Sequence, residues 1–234
     1  MKPLSPEHLL WLVITALTVA GCIAMRRVPD GSRAHSVFRL VLIAVVLANE
    51  LAWFLYRHFS AGLPLVDNLP LHLCDISVFV MLLALLTNTR PLVEFSYYAG
   101  VSGALMAVCV PAVSETGAIR LIAEIRYFIT HVALVGVGFY LTFGRRVYPE
   151  RRAILRSFAG VHLYALIITP LNLLLDTNYF FTTAAPNVDF LQAFPHWLFL
   201  TGASLSFLVL FSLMHLPFAW KRRATRRERA ESSA

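Results

Sequence analysis

The residues best able to do chemistry sit in one short stretch, Leu69-Pro70-Leu71-His72-Leu73-Cys74-Asp75. An imidazole, a thiol and a carboxyl fall within four positions, at the head of an apolar run that continues through Leu86. A thiol becomes a nucleophile when its pKa falls, as it does at a helix N-terminus or beside an imidazole. On a regular helix His72 and Asp75 share a face, while Cys74 points roughly 160–200° away from His72. A base for Cys74 must then come from another helix, and His131 is the candidate. His72 and His131 with Asp75 or Glu50 would also approach the three or four ligands that zinc takes. Nothing else in the sequence supports a metal site, and no cofactor is implied.

The elements that must carry these groups are membrane helices. Of 234 residues, 58% are hydrophobic and only 14% charged, whereas soluble domains carry about 25% charged residues. The apolar residues form long blocks, and a span needs roughly 20 of them. Seven helices are expected, over 8–25, 37–57, 71–88, 93–111, 124–143, 154–175 and 196–219. The fold class is therefore all-α, a polytopic bundle of seven transmembrane helices. It forms one domain over 1–220, followed by a basic tail, 221–234, expected to be disordered. No length is left for a soluble domain.

Charge placement orients the bundle. Of the 20 Lys and Arg, 16 lie in alternate connections: Arg26, Arg27, Arg33 and Arg39, then Arg90, then Arg145, Arg146, Arg151, Arg152 and Arg156, then six from Lys221 to Arg229. The opposite side holds Lys2, Arg57, Arg120 and Arg126. The positive-inside rule places the N-terminus outside and the C-terminus in the cytoplasm, as expected of a multi-pass protein of the bacterial cytoplasmic membrane. Because the basic residues flank spans, the expected partners are membrane lipids rather than nucleic acid. Oligomeric state leaves no mark on the sequence. Val19-Ala20-Gly21-Cys22 resembles a lipoprotein processing site, but a signal peptide needs a positive region before its apolar run. Here Arg26 and Arg27 follow it, so the first helix is read as uncleaved. Three cysteines (Cys22, Cys74 and Cys109) make no disulfide framework.

The connections carry turn signals: Pro29-Asp30-Gly31 in the first, Gly62, Pro64, Asp67-Asn68 and Pro70 in the second. Pro70 suits a helix start. The longest, Asp176–Pro195, is rich in aromatic residues and is expected to lie on the outer face at headgroup level. No internal repeat of the transporter kind is visible. The fourth helix carries Gly100/Ala104 and Gly103/Ala107, each pair four apart, which suits close helix packing.

With this topology the polar residues converge in the outer leaflet. Asn49 and Glu50 come from the second helix; His72, Cys74, Asp75 and Ser77 from the third. Glu124, Arg126, Tyr127, Thr130 and His131 come from the fifth; Asn172, Asp176, Asn178 and Tyr179 from the end of the sixth; His196 starts the seventh. The inner halves of the same helices read as apolar. A polar pocket opening outward, with Asn49, Glu50, Asp75, Arg126, Tyr127, Asn172, Asn178 and Tyr179 as binding residues, accounts for the pattern. The plainer account pairs Glu50 with Arg126 structurally, uses Asn49 and Asn172 as interhelical hydrogen-bonders, and leaves His162 and His215 inert in their helices and His35 and His58 in loops.

Leu69-Pro70-Leu71-His72-Leu73-Cys74, Gly100-x-x-Gly103-Ala104, Arg126-Tyr127-Phe128-x-x-His131 and Asn172-x5-Asn178-Tyr179 together resemble the YwaF-like bacterial integral membrane proteins, a family similar to the eukaryotic transmembrane protein 164 group. That eukaryotic group is described as a phospholipid acyltransferase using a cysteine and a histidine, and more distant relatives are lipid hydrolases with a Thr–His pair. The resemblance therefore implies Cys74 as acyl acceptor and His131 as base. In the eukaryotic motif Cys and His are adjacent just after a Pro, whereas here the order is Pro70-Leu71-His72-Leu73-Cys74. Two readings stand: an acyltransferase or hydrolase of membrane lipid, and a transporter or receptor whose outward pocket binds a small polar solute.

Overall fold

The computed structural model describes residues 3–60, 64, 66, 69–111, 119–186 and 189–231. The turn residues Gly62, Asp67 and Asn68 lie outside them, as does Asn187 of the long connection. Six helices are long and apolar enough to cross a membrane: α1 (Pro6–Arg27), α2 (Arg33–Phe59), α4 (Arg90–Cys109), α5 (Arg120–Gly144), α6 (Ala153–Leu175) and the first part of α7, His196–Trp220. Between them, α3 (Leu73–Thr87) is apolar but has only 15 residues. It rises about 22 Å, short of a hydrocarbon core of about 30 Å. Six of the seven expected spans are thus present at crossing length, and the third expected span is an apolar helix of 15 residues. The helical backbone of α7 continues to Glu231, through the basic segment read from sequence as a disordered tail.

Local chemistry starts and stops these helices. Ser5 caps α1 by accepting the His8 N–H at 3.3 Å, with Pro6 as the first helical residue. Ser32 caps α2 by accepting the His35 N–H, after a turn in which Gly31 takes a φ of 79° that glycine adopts without strain. Asn88 ends α3 in the left-handed conformation suited to a C-cap. His35 and His58, read from sequence as loop residues, both lie in α2. His35 is buried, its Nδ1 3.1 Å from the Tyr140 hydroxyl.

α5 is the central helix. Within its apolar window 78% is buried inside the bundle, against 6% for α2 and for α7. It packs on α1, α2, α3 and α4. Gly138 makes the α4 crossing close, since a Cβ there would stand 2.2 Å from Val101 Cγ2. Of the small residues on α4, Gly100 does face α3 tightly, with Met81 Cε 2.3 Å from where its Cβ would be, whereas Gly103 has room.

One turn of α4, Ser96–Gly100, is a wide π-turn. Beside it the consecutive Tyr97 and Tyr98 both reach α7: the Tyr97 hydroxyl donates to the Met214 carbonyl, and the Tyr98 hydroxyl pairs with His215 Nδ1. The half of the bundle expected to be apolar therefore holds buried Ser96, Tyr97, Tyr98 and Thr142 as well as His215. Hydroxyls on aromatic rings satisfied across helices are invisible to a count of charged residues.

The basic connections gather at one end. Glu94, 1% exposed, accepts from Arg156 at 2.6 Å and from the Glu150 N–H at 2.9 Å, and Arg90 donates to Glu150 at 2.7 Å. Arg145 faces Asp30 at 3.5 Å, and Arg146 donates to the Arg26 carbonyl. Every loop in this set comes from the side that the charge count marks as basic.

Candidate functional site

The opposite end contains the expected polar residues, in two connected groups. The first joins α2 to α5. Arg126 donates to Glu50 Oε2 at 2.6 Å, and Thr130 donates to Glu50 Oε1 at 2.7 Å. Asn49 Nδ2 reaches Thr130 Oγ1 at 2.6 Å and the Arg126 carbonyl at 3.5 Å. Trp53, three residues after Glu50, places its ring 5.2 Å from the Arg126 guanidinium carbon. Sequence reasoning passed over Trp53; its helical spacing from Asn49 and Glu50 was the available signal. The Arg126 Nε is buried with no hydrogen-bond partner among the described residues.

The second group is built around the start of α3 and the segment after α6. His72 is not within the helix, as the sequence suggested, but is its extended N-cap residue (φ −71°, ψ 157°). Its N–H donates to Asp75 Oδ2 at 3.1 Å, so the expected alignment of the two is made by a capping bond. His72 Nδ1 faces the Phe180 N–H at 3.4 Å, and the rings of Tyr179 and Phe181 lie 5.3 and 5.4 Å away. Cys74 follows in the first helical turn, half-buried against the core. Its thiol is free.

Asn172 and Asn178, expected to bind substrate, use their amides on their own chain. Asn172, 1% exposed, accepts from the Tyr179 N–H and the Thr177 hydroxyl at 2.9 Å each, and donates to the Tyr179 carbonyl and Thr182 Oγ1 at 2.8 Å each. Asn178 Oδ1 accepts from Thr183 and Ala184, and its Nδ2 donates to the Ala184 carbonyl. His196 Nε2 donates to the Thr182 carbonyl at 2.9 Å. The Tyr179 hydroxyl donates to the Val66 carbonyl.

The aromatic segment does not lie flat on the outer face. The Phe180 ring is 5.8 Å from Tyr164 and 6.4 Å from Phe207. Each of these is 11 residues inside its helix end, about 16 Å along the axis. Phe180 and Phe181 have φ of 58° and 56°, a left-handed conformation that bulky side chains rarely adopt and that needs surrounding support. The Tyr164 hydroxyl bonds the Leu71 carbonyl, so α3 begins at this same depth. That recess is why α3 is short. Asn49 and Thr130 each lie ten residues from the nearer end of their helix, about 15 Å, so both groups share one level.

His131 is 5% exposed, and its Nδ1 lies 2.7 Å from the Tyr127 carbonyl. A carbonyl only accepts, so Nδ1 carries the proton and Nε2 keeps its lone pair. Tyr127 itself donates its hydroxyl to the Ala107 carbonyl at 3.0 Å. Among the described residues no three His, Cys, Asp or Glu side chains come together as a metal ion would require.

Long apolar helices around an interior polar cluster define a multi-pass integral membrane protein, set in lipid on its outer faces. Residues 3–215 match the TMEM164 family, and the chain belongs to that family. No curated protein and no solved structure matches it.

Proposed function

We propose that this chain is a YwaF-like protein of the bacterial cytoplasmic membrane with seven spans, its N-terminus outside and its C-terminus in the cytoplasm, and that the recessed cluster carries out acyl transfer on a membrane lipid. The observation that carries this reading is His131, held by its own helix, through Nδ1 and the Tyr127 carbonyl, in the tautomer a general base needs. Cys74 gives its proton to His131 Nε2 and attacks the ester carbonyl carbon. The carbon–oxygen bond breaks, and the leaving lysolipid alkoxide takes the proton back. The resulting thioester then passes its acyl group to a hydroxyl acceptor. Asp75 and His72 fix the start of α3, and so the position of Cys74. Asn172 and Asn178 hold the aromatic segment that packs on His72.

Purified protein incubated with acyl-labelled phospholipid is expected to carry a hydroxylamine-sensitive label on Cys74. Full lipid turnover by Cys74→Ala would sink the mechanism. The buried hydroxyls and His215 in the other half favour the second reading, a solute transporter or receptor. A solute-dependent rise in melting temperature without lipid turnover would select it.

A further inference from the structure

Two other side chains meet as a nucleophile and a base do. His162, on α6, has Nδ1 2.8 Å from the Phe158 carbonyl, so that nitrogen is the donor and Nε2 the acceptor. Nε2 lies 2.8 Å from Ser204 Oγ on α7. The serine hydroxyl must therefore donate to the imidazole. This is a nucleophile hydrogen-bonded to a base that a third group orients. The neighbouring hydroxyls of α7 behave differently. Thr201, Ser206 and Ser212 each return their proton to the carbonyl four residues back in their own helix, at 2.7–2.8 Å. Ser204 does not.

The surroundings say what could reach it. Leu166, four residues after His162 on α6, and Leu208, four after Ser204 on α7, share the faces that carry the pair and are exposed, as side chains that meet lipid are. Ser204 is eight residues into α7, about 12 Å from its start. A charged group at such depth is costly, so an uncharged ester dissolved among the acyl chains is the substrate that fits.

We propose that Ser204 and His162 form a second nucleophilic centre, facing lipid, that accepts an acyl group from an uncharged membrane ester such as a diacylglycerol. Ser204 Oγ bonds to the carbonyl carbon as its proton moves to His162 Nε2. The ester carbon–oxygen bond then breaks, and the leaving alcohol takes that proton. Water or a lipid hydroxyl afterwards attacks the acyl-serine, returning the proton to Oγ. This centre is independent of Cys74.

The test uses the full chain in vesicles with an alkyl fluorophosphonate, read by peptide mass. One adduct is expected on Ser204, in the parent chain and in Cys74→Ala alike, whatever becomes of the thioester on Cys74. Ser204→Ala removes it, and His162→Gln slows it by about 100-fold, the scale of a general base. No adduct, or an adduct elsewhere, overturns the proposal. An unchanged rate in His162→Gln overturns it too, leaving only an interhelical hydrogen bond. If Ser204→Ala fails to fold, Ser204→Cys is alkylated with an apolar iodoacetamide. A rate about 100-fold lower in its His162→Gln form is expected, and equal rates overturn the dyad. Acyl release from dioleoylglycerol that Ser204→Ala abolishes supports the substrate class; release from phosphatidylcholine alone overturns it.

Discussion

Glu50 and Arg126 face each other at 2.6 Å across the α2–α5 contact, with side chains 22% and 19% exposed. Thr130 donates to the other Glu50 oxygen, and Asn49 Nδ2 reaches Thr130 Oγ1, so one set of bonds joins the two helices and holds both charges in place.

Removing one partner leaves the other unpaired at membrane depth. Glu50→Gln and Arg126→Met are each expected to cost about 2.5–3.5 kcal/mol, read by denaturation in bicelles. The double variant should lose less than the sum, because no lone charge remains. Strict additivity would show that the two do not act as a pair.

Asn172→Ala removes the four hydrogen bonds that the Asn172 side chain makes to residues 177–182. Leaving buried partners unsatisfied costs roughly 1–3 kcal/mol. Protease cleavage within 177–184 should accelerate, and Cys74 should react faster with a small maleimide. Unchanged Cys74 reactivity would mean that the segment does not cover the thiol.

Gly138→Ala puts a methyl group 2.2 Å from Val101 Cγ2. Overpacking of this kind costs about 1–3 kcal/mol. Val101→Ala in the same chain should recover part of the loss, as a thermal shift reads directly.

Hydrogen bonds from Arg90, then Arg156, hold the Glu150 carboxyl below its ordinary value. A carboxylate with a lowered folded pKa adds stability that is present above the unfolded pKa of about 4.3 and lost as pH falls through the folded value. Acid should therefore loosen the basic end of the bundle, and Glu150→Gln should flatten that dependence. An identical acid profile in the variant would remove Glu150 from the account.

The seven apolar blocks and the pairing of Glu50 with Arg126 were legible because long runs and isolated charges are what hydropathy records. The helix containing His72 and Cys74 was legible too, but not its depth. The bond from Tyr164 to the Leu71 carbonyl, which sets that depth, joins residues 93 apart and leaves no periodic trace. Asn172 and Asn178 were found, yet their partners are largely backbone atoms of the next ten residues, to which any sequence contributes. His162 was set aside as a lone histidine, because the serine that completes it stands 42 residues later on another helix.

The recess at the start of α3 has an electrical consequence. α2 and α5, of 27 and 25 residues, are about 40 and 38 Å long against a hydrocarbon core of about 30 Å, so a level about 15 Å from their ends lies about 10 Å into the hydrocarbon. A unit charge carried to that floor crosses about a third of the membrane potential, about 0.8 kcal/mol per 100 mV. On the acyl-transfer reading, occupancy by an anionic lipid should therefore respond to voltage, and occupancy by a zwitterionic one should not.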